Sequence, residues 1–132
     1  MEPNDIKLRI LVVDDQPIVL RSTARLLEGR GHEVVQVSDA DEAGQVAETF
    51  DVAVVDVELE DGSGVEVARA LLARGVAPRI VFFTAVVGAA TLKDAADMGW
   101  VVPKGGRQSV LQLVTAVEAG TAPSPSSTKP GS

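Results

Sequence analysis

The most regular feature of the chain is a set of short, unbroken apolar runs separated by longer stretches with helical spacing. Ile10-Leu11-Val12-Val13 stops at Asp14-Asp15, and Val52-Ala53-Val54-Val55 stops at Asp56. Ile80-Val81-Phe82-Phe83 follows Arg79 and stops at Thr84. Val101-Val102 is shorter and ends at Pro103-Lys104, while Val34-Val35-Gln36-Val37 is less purely apolar. Runs without polar alternation read as strands covered on both faces, the habit of parallel sheets. The mixed Val34 to Val37 run is expected nearer an edge.

The intervening segments have recognisable helix ends. Pro17 suits a first helical position, and Leu20, Ala24 and Leu27 follow at helical spacing before Gly29 and Gly31. Ser38 precedes a stretch through Glu48 in which Ala43, Val46 and Ala47 share a face. Ser63-Gly64-Val65-Glu66 has the form of a capping box, with Val65, Ala68 and Leu72 as the stripe behind it, ending at Gly75. An alanine-rich helix is predicted from Gly88 to Asp97 with Gly99 as its C-cap, and another from Ser109 to Ala119 closed by Gly120. Five strands alternating with five helices predict an α/β fold: a doubly wound, five-stranded parallel sheet with right-handed crossovers and the flavodoxin-like order 2-1-3-4-5. Residues 1–120 are expected to form this single domain, and the Pro/Ser-rich residues 121–132 a flexible tail.

Composition narrows the chemistry. The absence of cysteine excludes a disulfide framework, a thiolate zinc site and a cysteine nucleophile. The single histidine, His32, excludes a multi-histidine metal site; it is expected in the turn between the first helix and the second strand, with no role in chemistry. A net charge of −7 argues against a nucleic-acid-binding face. Four aromatic residues, Phe50, Phe82, Phe83 and Trp100, are too few for a base-stacking surface. No apolar run approaches the roughly 18 residues of a membrane-spanning helix. The acidic start MEPNDIKLR is unlike a signal peptide, so the expected location is the cytoplasm.

In an open parallel sheet, ligands sit outside the carboxyl ends of the strands. The residues predicted there are Asp14, Asp15, Asp56, Thr84 and Lys104. Three gathered carboxylates repel unless a cation compensates, and an all-oxygen donor set selects a hard one: Mg²⁺, with Mn²⁺ or Ca²⁺ as substitutes. One carboxylate would remain as a nucleophile able to form an acyl phosphate, with Lys104 and Thr84 supplying charge and a hydrogen bond to the phosphoryl oxygens. Taken singly, each residue has a plainer reading. Asp14 and Asp15 would cap a helix, Asp56 would cap a turn, Thr84 would be structural, and Lys104 would be a solvated surface lysine. Glu58, Glu60 and Asp61 read as a solvated loop. Compatible residues at four strand ends are what favour a shared site.

The segments LRILVVDDQPIV, VAVVDVELEDGSGVEVARAL and RIVFFTA, followed by Lys104, resemble in order and spacing the response-regulator receiver domains of two-component signalling. The resemblance covers roughly residues 7–120. It implies that Asp56 is phosphorylated by a sensor histidine kinase or a histidine phosphotransfer protein. It also implies that Asp14, Asp15, Asp56 and the backbone carbonyl of Glu58 hold Mg²⁺ (Mn²⁺ as substitute), that Thr84 turns toward the phosphoryl group, and that Lys104 is the family's lysine. Such a domain is not an enzyme on other substrates: it catalyses only its own phosphorylation and dephosphorylation. The output expected is binding, to a downstream target protein or to itself as a homodimer, because the chain ends soon after its fifth helix.

Three places depart from the family pattern. Leu59-Glu60 stands where Met-Pro is frequent, Gly105 rather than proline follows the lysine, and Val101 occupies the usual position of a switching aromatic. Trp100, one residue earlier, is expected near the crevice; either it has taken over that function or the aromatic half of the switch is absent. Two alternatives share parts of this reading: a phosphorylation-independent adaptor that keeps only the fold, and a Mg²⁺-dependent phosphohydrolase, which would lack a cap domain.

Overall fold

The computed structural model describes residues 7–85 and 88–119. Gly120 and the expected 121–132 tail lie outside the described residues. In chain order the elements are β1 (Arg9–Val13), α1 (Pro17–Gly29), β2 (Glu33–Val37), α2 (Ala40–Gly44), β3 (Val52–Val55), the two-residue strands β4 (Glu58–Leu59) and β5 (Gly62–Ser63), α3 (Gly64–Ala73), β6 (Ile80–Thr84), α4 (Ala89–Met98), β7 (Trp100–Pro103) and α5 (Ser109–Glu118). The main sheet has the order β2-β1-β3-β6-β7, every pair parallel, while β4 and β5 form a separate antiparallel hairpin. With that hairpin set aside, the order is the expected 2-1-3-4-5.

Side chains of successive strand residues point to opposite faces. Leu11, Val13, Ala53, Val55, Ile80 and Phe82 pack with Ala43 of α2, Val65, Ala68 and Leu71 of α3, and Ala95 of α4. Ile10, Val12, Val52, Val54, Val81 and Phe83 pack on the other side with Leu20 and Leu27 of α1 and Leu113, Ala116 and Val117 of α5. Both faces are covered, so the central strands carry no polar alternation. Each Val, Leu, Ile or Phe side chain so buried stabilises the fold by about 1.5–3 kcal/mol, and each alanine by less. Strand β2 lies at the edge, where Glu33 and Gln36 are exposed.

Local structure departs from expectation in three places. Helix α2 stops at Gly44 instead of reaching Glu48. Glycine is a poor helix residue. In addition, the Arg74 guanidinium binds the carbonyls of Gly44 and Val46, which diverts them from the helical ladder. The capping box is half formed: Ser63 Oγ accepts from Val65 N–H, but Glu66 pairs with Arg69. Gly99 ends α4 with extended backbone (φ −174°), not as a left-handed cap. Its smallness is needed for packing, because a Cβ there would lie 2.1 Å from the Ile80 carbonyl oxygen.

His32 sits at the start of β2, at the opposite end of the sheet from the carboxyl ends, and is buried. Its Nδ1 accepts from Leu8 N–H, so Nε2 bears the proton and donates to Glu118 at 2.8 Å. Arg30 donates two further bonds to the same carboxylate, at 2.6 and 2.7 Å. These bonds, Arg30 first, then His32, hold the Glu118 pKa below its usual 4.5. A depressed folded-state pKa adds stability that is complete above about pH 4.5 and is lost as pH falls through the folded value. Glu118→Gln is therefore expected to lower stability near neutral pH by about 1 kcal/mol. It is also expected to blunt the acid limb of the stability profile; thermal melts between about pH 3 and 7 measure both.

Candidate functional site

Because the main strands are parallel, their carboxyl ends share one rim. The ladders run one residue past the strands there: Asp14 N–H donates to the Val37 carbonyl at 3.1 Å and Asp56 N–H to the Val13 carbonyl at 2.9 Å. Lys104 N–H donates to the Thr84 carbonyl at 2.7 Å. Gly105, at φ 81°, then turns the chain away in a backbone region that favours glycine. The backbone thus carries the side chains of Asp14, Asp56, Thr84 and Lys104 to a common crevice.

The side chains meet there. Thr84 Oγ1 donates to Asp56 Oδ1 at 3.0 Å, and Lys104 Nζ donates to Asp56 Oδ2 at 2.9 Å. The same ammonium lies 2.8 Å from Asp14 Oδ2. Asp14 Oδ1 accepts from Gln16 N–H at 2.9 Å, and Asp56 Oδ1 from Glu58 N–H at 3.2 Å. Asp15 is half-buried beside them, and one oxygen from each of Asp14, Asp15 and Asp56 lies within 4.8 Å of the others. Asp14, Asp56 and Thr84 are 3%, 5% and 2% exposed, so the site is sheltered from water.

This geometry removes most of the plainer readings. Helix α1 has Gln16 at its N-cap with no side-chain capping bond, so neither Asp14 nor Asp15 caps it. The Lys104 side chain is 13% exposed and paired twice, unlike a solvated surface lysine. Glu58 N–H does close a small turn on Asp56, but Asp56 also meets Thr84 and Lys104. The side chains of Glu58, Glu60 and Asp61 are exposed, as expected, yet the loop is ordered by β4–β5 pairing. Asp61 accepts from Ala40 and Asp41 N–H at the start of α2, which holds its pKa low.

Trp100 is not near the crevice. It begins β7 and pairs in register with Val81, while Thr84 pairs with Pro103. Three residues of strand, about 10 Å, separate it from the rim. Its ring packs on the α1–α5 side of the sheet, whereas Val101 packs on the α3–α4 side. Strand alternation forbids a residue one place earlier from filling the position of Val101.

Electrostatics at the rim favour a cation. Burial raises the Asp14 pKa above its ordinary 3.8, and the Asp56 charge adds to this, against the lowering by Lys104 and the Gln16 N–H. For an acid with a raised folded-state pKa, stability falls as pH climbs from the unfolded to the folded value, so ionised Asp14 is under strain at neutral pH. For Lys104, burial disfavours the charge but the bonds and charges of Asp14 and Asp56 outweigh it, and its pKa is raised. Three carboxylates against one ammonium leave two uncompensated negative charges in an all-oxygen setting. That donor set fits a divalent hard cation.

Two features of the rim were not anticipated. Glu60 N–H donates to Asp15 Oδ2 at 2.6 Å. Gly64 packs so closely under Asp56 that a Cβ would fall 1.9 Å from the Asp56 carbonyl oxygen. Backbone donors and close approaches leave no mark on side-chain patterning, although the S-G pair at a helix start was visible.

Comparison with known proteins agrees with this picture. The family profile described as response regulator receiver domain matches residues 10–112. The photosynthetic apparatus regulatory protein RegA of Rhodobacter capsulatus is 38% identical over 92 residues, which cover 68% of this chain and 50% of that protein. The chain thus spans about half the length of that curated relative. Among solved structures, a two-component response regulator of the LuxR family from Aurantimonas sp. SI85-9A1 is 34% identical with a TM-score of 0.75, covering 93% of this chain and 94% of that one. The response regulator TrrA of Thermotoga maritima, solved in complex with Mg²⁺–BeF, is 25% identical with a TM-score of 0.70, covering 83% and 97%. No helix among the described residues is long and apolar enough to cross a membrane. The sheet order, the acidic rim and the matched span place the chain in the response regulator receiver domain family of two-component signalling, whose members are signalling switches rather than classical enzymes.

Proposed function

We propose that this domain accepts a phosphoryl group on Asp56 from a phosphohistidine of a sensor histidine kinase or histidine phosphotransfer protein, and signals by binding a protein target, in the cytoplasm. The observation that carries this reading is the pair of donors on one carboxylate: Thr84 on Asp56 Oδ1 and Lys104 on Asp56 Oδ2. A carboxylate oxygen of Asp56 attacks phosphorus, the O–P bond forms, the N–P bond breaks, and the imidazole leaves with the electron pair. Lys104 and Thr84 then follow the negative charge outward onto the new phosphoryl oxygens. Mg²⁺, when bound, supplies further positive charge to those oxygens. Asp14, Asp15, Asp56 and the Glu58 carbonyl are the residues that would hold it.

The product carries nearly two negative charges on the phosphoryl group where the Asp56 carboxylate carried one, a net gain of about one in a sheltered rim. Thr84, pulled toward them, has Val101 and no aromatic ring on its side of β7. Trp100→Phe is accordingly expected to leave phosphoryl incorporation at the wild-type rate. Mg²⁺ alone is expected to change Trp100 emission little.

A small phosphodonor with Mg²⁺ tests the reading. Intact mass is expected to show a single phosphoryl adduct, labile to hydroxylamine as an acyl phosphate is, and absent when Mg²⁺ is chelated. A protein that binds Mg²⁺ yet takes up no phosphate would instead be the phosphorylation-independent adaptor.

A further inference from the structure

We propose that the backbone N–H of Glu60 is a positioning group of the metal centre, fixing the Asp15 carboxylate so that its other oxygen is presented to Mg²⁺. The inference rests on the metal reading above and deepens it. Glu60 N–H reaches Asp15 Oδ2 at 2.6 Å across 45 residues of sequence. The other carboxylate oxygens of the cluster are engaged: Asp14 by Gln16 N–H and Lys104, Asp56 by Thr84, Glu58 N–H and Lys104. Among the described residues Asp15 Oδ1 accepts no hydrogen bond, which leaves it open for a cation. Asp15 is also the least buried of the three, so its own packing holds it least. The Glu60 amide supplies what packing does not.

The donor itself is rigidly mounted. Leu59 is 8% exposed in the core beneath the hairpin. On the far side of the tip, Asp61 is bonded to the first two amides of α2 at 2.8 and 3.1 Å. A mounted amide orients the carboxylate, whereas a loose one would follow it. Only a residue with an N–H can do this, so the Leu59-Glu60 departure from Met-Pro has a direct structural consequence. Outer partners that orient a metal-binding carboxylate typically alter metal affinity by about tenfold or more when removed.

The test separates the amide from the side chain. Neither Glu60 nor Asp61 has a positive φ. Turns with negative φ at both central positions accept proline at the first, so Glu60→Pro deletes the donor with the turn kept. Calorimetric titration of Mg²⁺ into the unphosphorylated protein is expected to show about tenfold weaker binding for Glu60→Pro. Glu60→Gln, which keeps the N–H and loses only an exposed charge, is expected to bind within about twofold of wild type. Equal or tighter binding by Glu60→Pro overturns the proposal, and so does an equal loss in both variants, which would place the effect in the side-chain charge. Should Glu60→Pro fail to fold, the wild-type Glu60 amide proton decides. It is expected to stay far downfield and protected from exchange with Mg²⁺ bound, and its release on Mg²⁺ addition overturns the proposal by making the amide a competitor. Wild type that binds no Mg²⁺ overturns the metal reading together with this one, whereas Mg²⁺ binding untouched by Glu60→Pro overturns this one alone.

Discussion

Asp56→Asn is expected to abolish phosphoryl incorporation while leaving the fold intact. The carboxamide matches the carboxylate in shape, so Thr84 still finds a carbonyl oxygen at the place of Asp56 Oδ1. Two things are lost. The amide has no anionic oxygen with which to attack phosphorus, and it presents an N–H₂ to the Lys104 ammonium in place of an ion-pair partner. Lys104 keeps Asp14, 2.8 Å away, so no buried charge is stranded. The two uncompensated charges of the rim become one, and Mg²⁺ affinity is expected to fall as well. Intact mass after incubation with a phosphodonor measures the first effect and calorimetry the second. Incorporation at the wild-type level in Asp56→Asn would remove Asp56 from the role proposed for it.

Gly64→Ala is expected to be among the most destabilising glycine-to-alanine changes among the described residues. The new Cβ would sit 1.9 Å from the Asp56 carbonyl oxygen and 2.8 Å from Val57 Cα, both backbone atoms that have no rotamer by which to yield. Either α3 moves off the sheet or the strand end carrying Asp56 is displaced. Overpacking of this type costs about 2–3 kcal/mol, a fall of roughly 8–12 °C in Tm at this size. Phosphoryl incorporation is expected to drop with it, because Asp56 is the residue pushed. Gly44→Ala is the contrasting case: nothing lies within 4 Å of its Cβ, and it ends a five-residue helix. It is expected to be neutral or to stabilise by up to about 1 kcal/mol. Thermal unfolding of the two variants side by side measures the difference, and a Gly64→Ala protein as stable as wild type would contradict the close approach.

Much of this could be read in the amino-acid sequence because the relevant physics is local or periodic. Unbroken apolar runs marked strands covered on both faces, the punctuation by proline, serine and glycine marked helix ends, and the acids, threonine and lysine after the runs marked the rim. Any right-handed α/β winding of those runs brings their carboxyl ends together, so the cluster of Asp14, Asp15, Asp56, Thr84 and Lys104 was implied by topology alone. Tertiary structure decided what depends on one backbone meeting another. It curtailed α2, where Arg74 claims the Gly44 and Val46 carbonyls. It made Gly99 and Gly64 spacers against Ile80 and Asp56, put Trp100 on the face opposite Val101, and aimed the Glu60 amide at Asp15. Amide direction and Cβ clearance are the same in kind at every residue of a sequence, and acquire consequences only once a distant segment arrives within a few ångströms.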